Sequence, residues 1–219
     1  MSLSNQSKGI KEITIDGKTV KSITRNSDQK ILYEKSRIYY VNTGETDQTS
    51  DFDIENRIPR KQNTTPCRVS ITHSNKEYTF QSYNGIEYAS FVPIIPLSNI
   101  SFDFKVSGDF KYNSNKPLGL GLCVNRSRIF IILCNGAYWD YLLYNGTGAG
   151  SNHYFENTHE YCKLELVKQG GNVYLNIYDG DLLIAQRSVT IRNTDSVIVG
   201  LLDEQGGTNV FKNIMCEII

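Results

Sequence analysis

Residues 51–56 read DFDIEN, with Asp51, Asp53 and Glu55 spaced two apart. In an extended strand side chains alternate, so this spacing would project three carboxylates from one face. Such a face could offer a proton donor and a nucleophile to a glycosidic bond. The same spacing also suits the solvated edge of a sheet, where acids discourage edge-to-edge pairing. A calcium loop is disfavoured, because the stretch lacks the loop glycine and bidentate Glu of an EF-hand. Between the first two readings the solvated edge is preferred, with the carboxylates outside any reaction cleft.

Other groups could do chemistry. His153, His159 and Cys162 fall within ten residues, with Glu156 and Glu160 between them, a set that zinc could use. No fourth ligand is marked, so no metal or other cofactor is expected, and the histidines read as surface residues. His73 has no partner identifiable in the sequence. GTGAGS (146–151) is Gly-rich but lacks the strand-then-helix context and the lysine of a phosphate loop, and reads as a loop. No GxSxG elbow is present, and no Cys–His pair stands in a recognisable order.

The best binding candidate is AYWDYLLYNG (137–146). Sugars present apolar C–H faces to aromatic rings, and nearby Asp or Asn can fix their hydroxyls. Alternation divides the stretch: Tyr138, Asp140, Leu142 and Tyr144 on one side, Trp139, Tyr141 and Leu143 on the other. The Asp140 side, with the turn residue Asn145, is the better surface set. Trp139, the only tryptophan, reads first as packing and second as a ligand platform.

These residues must be carried by strands. DG, NG and GG turns recur along the chain, separating short β-branched or aromatic runs such as CRVSITH (67–73), SFDFKV (101–106) and RIFIILC (128–134). No sustained helical stripe appears, so the chain is expected to be all-β. In KLELVKQGGNVYLNIYDGDLLIAQRSV (163–189), Leu164, Leu166, Val173, Leu175 and Ile177 form a dry side. Glu165, Tyr174, Asn176 and Tyr178 form the wet one, so the stretch reads as a meander. Residues 10–35 look separable: Ile13 and Ile15, the Asp16–Gly17 turn and Val20 give a hairpin, with KILYEK (30–35) as a possible third strand. So small a unit cannot be stable alone and must pack on the rest of the chain or on a copy of itself.

Bulk composition narrows the partners. Lys plus Arg and Asp plus Glu are equal at 23 each, which gives no field for nucleic acid or an anionic membrane. Residues 1–35 carry seven basic against four acidic side chains, too small an excess for a polyanion site. Five widely spaced cysteines, without CxxC, argue against a disulfide framework; Cys134, after IFIIL, reads as a small core residue. The polar start MSLSNQSKGIKE has no signal-peptide core, and no run nears the roughly 20 apolar residues of a membrane helix. Synthesis in the cytoplasm, without membrane insertion, is the expectation.

The hairpin KLELVKQGGNVYLNIYDG, then VGLL, a glycine-bearing loop and a terminal FKNIMCEI, resembles the last third of concanavalin-like, laminin-G-like jelly rolls. Tyr161 matches the aromatic that precedes the KLEL-type strand. The resemblance implies an antiparallel two-sheet jelly-roll sandwich over 36–219, with a small N-terminal β-hairpin module over 1–35. Such folds often carry carbohydrate on the concave face or the rim, although fold membership does not by itself imply a function. In glucanases of that superfamily an E-x-D-x-E strand is catalytic; here Asp51 replaces the first Glu and is one methylene shorter, and the motif lies early in the chain rather than at its middle. The 10–35 segment also resembles N-terminal pieces of tail-associated proteins of viruses and proviruses. The resulting expectation is a non-catalytic module binding a glycan or cell-wall polymer within a virion or other surface assembly, with a homo-oligomer among its expected partners, and reaching the virion or extracellular space on release. The alternatives are a glycoside hydrolase using Asp51, Asp53 and Glu55, and a purely structural virion protein.

Overall fold

The computed structural model describes residues 13–15, 18–20, 22–25, 31–34, 37–59, 65–83, 90–111, 118–135, 138–144, 153–154, 159–203 and 207–219. Two short hairpins come first. β1 (Ile13–Ile15) pairs with β2 (Lys18–Val20), Ile13 opposite Val20, as the Asp16–Gly17 spacing requires. β3 (Ser22–Arg25) pairs with β4 (Ile31–Glu34). The KILYEK strand therefore closes a second hairpin and is not a third strand of the first; SITR, β-branched and close in sequence, is its nearer partner.

The remaining strands build two antiparallel sheets. They are β5 (Arg37–Asn42), β6 (Ile58–Pro59), β7 (Arg68–Ser74), β8 (Glu77–Tyr83) and β9 (Ser90–Pro93). Then come β10 (Phe104–Lys111), β11 (Leu118–Val124), β12 (Arg128–Asn135), β13 (Tyr138–Tyr144) and β14 (His153–Tyr154). Last are β15 (Tyr161–Gln169), β16 (Asn172–Asp179), β17 (Leu182–Thr190), β18 (Val197–Asp203) and β19 (Thr208–Ile218). One sheet is eight-stranded, in the order β17-β16-β15-β10-β19-β8-β7, with β5 pairing the C-terminal half of β19. The other is seven-stranded, in the order β14-β13-β12-β11-β18-β9-β6. The chain is an all-β, two-sheet jelly-roll sandwich.

Period-two patterning places the core between the sheets. Leu164, Leu166, Val173, Leu175 and Ile177, the dry side of the meander, are fully buried against Leu120, Leu122, Ile132, Val199 and Leu201 of the other sheet. Removing such side chains from water drives assembly at roughly 25 cal/mol per Å². Cys67, Cys162 and Cys216 are reduced thiols in this interior, Cys123 is one on the outward side of the seven-stranded sheet, and burial pushes Cys123 and Cys216 up to about 12. The side chain of Cys134 lies outside the described residues.

The seven-stranded sheet has a second apolar layer on its outward side. Ile58, Phe91, Cys123, Ile129, Ile131, Ile198 and Leu202 form a separate cluster, each no more than 7% exposed. They occupy the positions that alternate with the inter-sheet core, and they fall in shared cross-strand rows such as Ile129–Cys123–Ile198 and Ile58–Phe91–Leu202. Glycines make the bed for Phe91. A Cβ on Gly200 would stand 2.7 Å from its ring, and one on Gly121 3.1 Å.

Candidate functional site

The DFDIEN stretch is not a strand. Thr49–Asp51 is a single 3-10 turn, begun when Asp47 accepts the Thr49 amide at 2.9 Å. Phe52 then enters the core and bridges Ile94. Asp53 accepts the backbone N–H of Asn56 at 3.0 Å and so closes the next turn. Asp51 takes the Tyr40 hydroxyl at 2.9 Å and the Gln48 amide at 3.3 Å, while Glu55 is exposed. Local side-chain bonds to the backbone outcompete extension here, so the expected edge strand is corrected to a pair of turns. The three carboxylates lose the common face that alternation would have given them.

The other candidates disperse as well. Cys162 points into the core and donates to the Phe110 carbonyl at 3.4 Å, away from any zinc cluster. His159 sits 2.5 Å from Asp179. His73 Nε2 meets the Gly44 carbonyl at 2.7 Å and its ring tilts against Tyr78. Among the described residues no group of three metal-ligating side chains occurs. GTGAGS, Asn145, Glu156 and the side chain of His153 lie outside the described residues.

Tyr138, Trp139, Asp140 and Tyr144 lie on β13, the second strand from one edge of the seven-stranded sheet; their side chains are outside the described set. Backbone register pairs Tyr144 with Ile129, in the row of the outward apolar layer. Two steps on, Leu142 pairs with Ile131 and Asp140 with Leu133; then Tyr138 pairs with Asn135. Trp139 is opposite Cys134, two residues from the inward Ile132.

The best-defined polar constellation lies on the outward face of the other sheet. Ser107, Glu165, Asn176 and Gln186 are directly opposed on β10, β15, β16 and β17, forming one row across four strands. Gln186 donates its amide to Asn176 Oδ1 at 2.9 Å, and Asn176 donates to Glu165 Oε1 at 3.0 Å. Tyr178 donates its hydroxyl to the same oxygen at 3.0 Å. Asn176 both accepts and donates, so the row is polarised toward the carboxylate, and such chained bonds strengthen one another. Ser107, Glu165 and Asn176 are only 5–6% exposed although they face away from the core. Burial first, and the Glu165 carboxylate second, raise the Tyr178 phenol above its ordinary range.

Tyrosines and paired charges flank this row. The Lys163 ammonium lies over the Tyr178 ring at 5.4 Å, and Lys212 lies 3.8 Å over Tyr161. Tyr161 donates to Glu77, and burial followed by that carboxylate raises its phenol too. Lys105 meets Glu217 at 2.6 Å, and Lys111 meets Glu160. Positive and negative side chains thus match locally, and the face carries fixed hydrogen-bonding groups beside aromatic rings without a net field. The meander sequence already showed Glu165, Tyr174, Asn176 and Tyr178 on one side. Their linkage into a shielded row was missed, because it depends on register with β10 and β17. The Y-x-N-x-Y alternation of β16, aligned opposite Glu165, was the available signal.

No protein-family model and no curated protein sequence matches this chain. Solved structures do. The CBM2 module of the evolved Dit of Lactobacillus casei BL23 phage J-1 has a TM-score of 0.57 at 11% identity, covering 84% of this chain and 96% of that one. A Bacillus subtilis protein of unknown function with a galectin-like fold has a TM-score of 0.56 at 10% identity, covering 85% and 98%. The β-glucanase of Bacillus licheniformis has a TM-score of 0.51 at 9% identity, covering 84% and 100%. Binding modules and glycosidases therefore share this architecture, and at such identities the likeness is one of fold. The chain has the jelly-roll, galectin-like sandwich fold.

Proposed function

We propose that this protein is a non-catalytic module that binds a glycan or cell-surface polymer. The observation that carries this reading is the Gln186–Asn176–Glu165 row with Tyr178, flanked by tyrosine rings on an outward sheet face. The exposed Gln186, held by the shielded Asn176–Glu165 pair, offers a fixed amide to hydroxyls, while the rings receive the apolar faces of sugars. Charge matching across the face favours a neutral polymer over a polyanion. The likeness in fold to the CBM2 module of the phage Dit supports the same choice. A hydrolytic role for Asp51, Asp53 and Glu55 has less support, since two of these carboxylates are engaged in the local bonds of turns.

The module works as part of a larger surface assembly, with a virus tail or receptor-binding protein as the leading context. Residues 1–35 provide its anchoring or oligomerising segment, and release carries it to the virion or the extracellular space. Weak sites repeated in such an assembly gain strength through multivalency. A second candidate face is Tyr138, Asp140 and Tyr144 with Asn145 and Trp139, which the alternation of aromatic and polar residues in the sequence supports.

Glycan-array binding and retention on immobilised cell-wall polysaccharides test the proposal, with the whole chain as probe. Binding lost in Asn176→Ala/Gln186→Ala and kept in Tyr138→Ala/Tyr144→Ala assigns the ligand to the eight-stranded sheet; the reverse assigns it to β13. No binding on any array, with a stable oligomer in light scattering, would leave the purely structural role. Oligosaccharide release from a β-glucan panel would establish an enzyme instead.

A further inference from the structure

At one end of the sandwich an open depression of about 340 Å³ is lined by Ser101, Phe102, Asp103, Lys168, Gly170 and Asn193. Its volume is at the small end of the roughly 300–1,000 Å³ range of ligand clefts. Lys168 is the unusual member. Along β15 the inward positions run Cys162, Leu164, Leu166 and Lys168, and all four are 0–1% exposed. A leucine or methionine there would continue the apolar row, whereas a buried ammonium must be paired to be tolerated at all.

The pairing is partial. Lys168 Nζ donates to Asp103 Oδ1 at 3.1 Å and to the Phe102 carbonyl at 3.4 Å, leaving one N–H without an acceptor among the described residues. Asp103 Oδ1 also accepts the Gly170 amide at 2.9 Å, so the second carboxylate oxygen has no donor among them. Asn193 stands over the turn: a Cβ on Gly170 would lie 3.7 Å from its Oδ1. Gly171 is held by close approach, since a Cβ there would come within 2.9 Å of the Ile191 carbonyl. Phe102 packs edge-on against the half-exposed Tyr39, with ring centres 5.0 Å apart.

We propose that this depression binds one ring of a neutral sugar through two adjacent hydroxyls. One hydroxyl accepts from Lys168 Nζ and donates to Asp103 Oδ2, and its neighbour bonds the Asn193 amide. A hydroxyl is both donor and acceptor, which suits an ammonium and a carboxylate oxygen side by side. An anionic ligand fits less well, because Asp103 already balances the lysine charge. The ligand class rests on the glycan reading above; the site itself does not.

The test is titration of the isotope-labelled full chain with methyl glycosides of glucose, galactose, mannose and N-acetylglucosamine, and with glucuronate, following the Gly170 amide by NMR. At least one neutral glycoside should shift it. Lys168→Met and Asp103→Asn should each weaken that binding at least tenfold, and the urea midpoint of Lys168→Met should be unchanged or higher. A Gly170 amide silent to every neutral sugar, a larger response to glucuronate, or wild-type binding by Lys168→Met would overturn the proposal. If Lys168→Met does not fold, Asp103→Asn decides alone. Polysaccharide retention with a silent Gly170 sinks this site and spares the sheet-face reading; a responsive Gly170 with retention unaffected by Asn176→Ala/Gln186→Ala does the opposite.

Discussion

Asn176 donates its side-chain amide to Glu165 Oε1 across 3.0 Å, at directly opposed positions on neighbouring strands. Both side chains face outward and both are almost fully buried. A carboxylate so enclosed depends on its donors, and its donors depend on it. Glu165→Ala should therefore leave Asn176 and Tyr178 without their acceptor and cost about 1–3 kcal/mol. Urea unfolding checks this, and Asn176→Ala in the same background should cost less than it does alone, since the pair is coupled.

Gly200 should tolerate no side chain. Besides the Phe91 ring, a Cβ there would meet the Val92 carbonyl oxygen at 2.4 Å. Gly200→Ala is expected to destabilise by about 1–3 kcal/mol or more through overpacking. Gly121→Ala, whose nearest contacts are 3.1 Å, should cost less. Thermal melts of the two variants give the order.

Alkaline pH should weaken the fold through its half-buried phenols. Tyr178 and Tyr161 have folded-state pKa values raised by burial and by Glu165 or Glu77. A raised phenol pKa means the folded state holds its proton longer than the unfolded chain does. The associated stability is whole below the unfolded value of about 10 and is lost as pH climbs beyond it. Tyr178→Phe should reduce that alkaline loss, at a cost near neutrality of about 0.5–1.5 kcal/mol for the missing hydrogen bond. Unfolding curves at several pH values above and below 10 provide the comparison.

The interior thiols should resist alkylation. Burial keeps Cys123 and Cys216 protonated, with values pushed up to about 12. Iodoacetamide labelling read by mass spectrometry should leave Cys67, Cys123, Cys162 and Cys216 unmodified in the native protein and modify them in denaturant. Rapid native labelling of Cys123 or Cys216 would contradict the packing described.

Some of this was readable in advance. Leu164, Leu166, Val173, Leu175 and Ile177 alternate cleanly, so the dry side of the β15–β17 meander followed from period two alone. The DFDIEN turn did not, because alternation of acids mimics a strand while short Asp bonds to nearby amides decide the backbone. Nor did Gly121 of LGLGLCV show what it serves: Phe91 lies far away in sequence and reaches it only through sheet order. Lys168 was hidden for a related reason. A lysine at a strand end reads as solvated, and the Asp103 carboxylate and Phe102 carbonyl, distant in sequence, permit it to turn inward.

Affinity electrophoresis through gels containing cell-wall polysaccharide tests the binding face most directly. Wild-type protein should be retarded, and Asn176→Ala/Gln186→Ala, with an unchanged circular dichroism spectrum, should run as in polysaccharide-free gel. Equal retardation of that folded variant would contradict a ligand on the β15–β17 face.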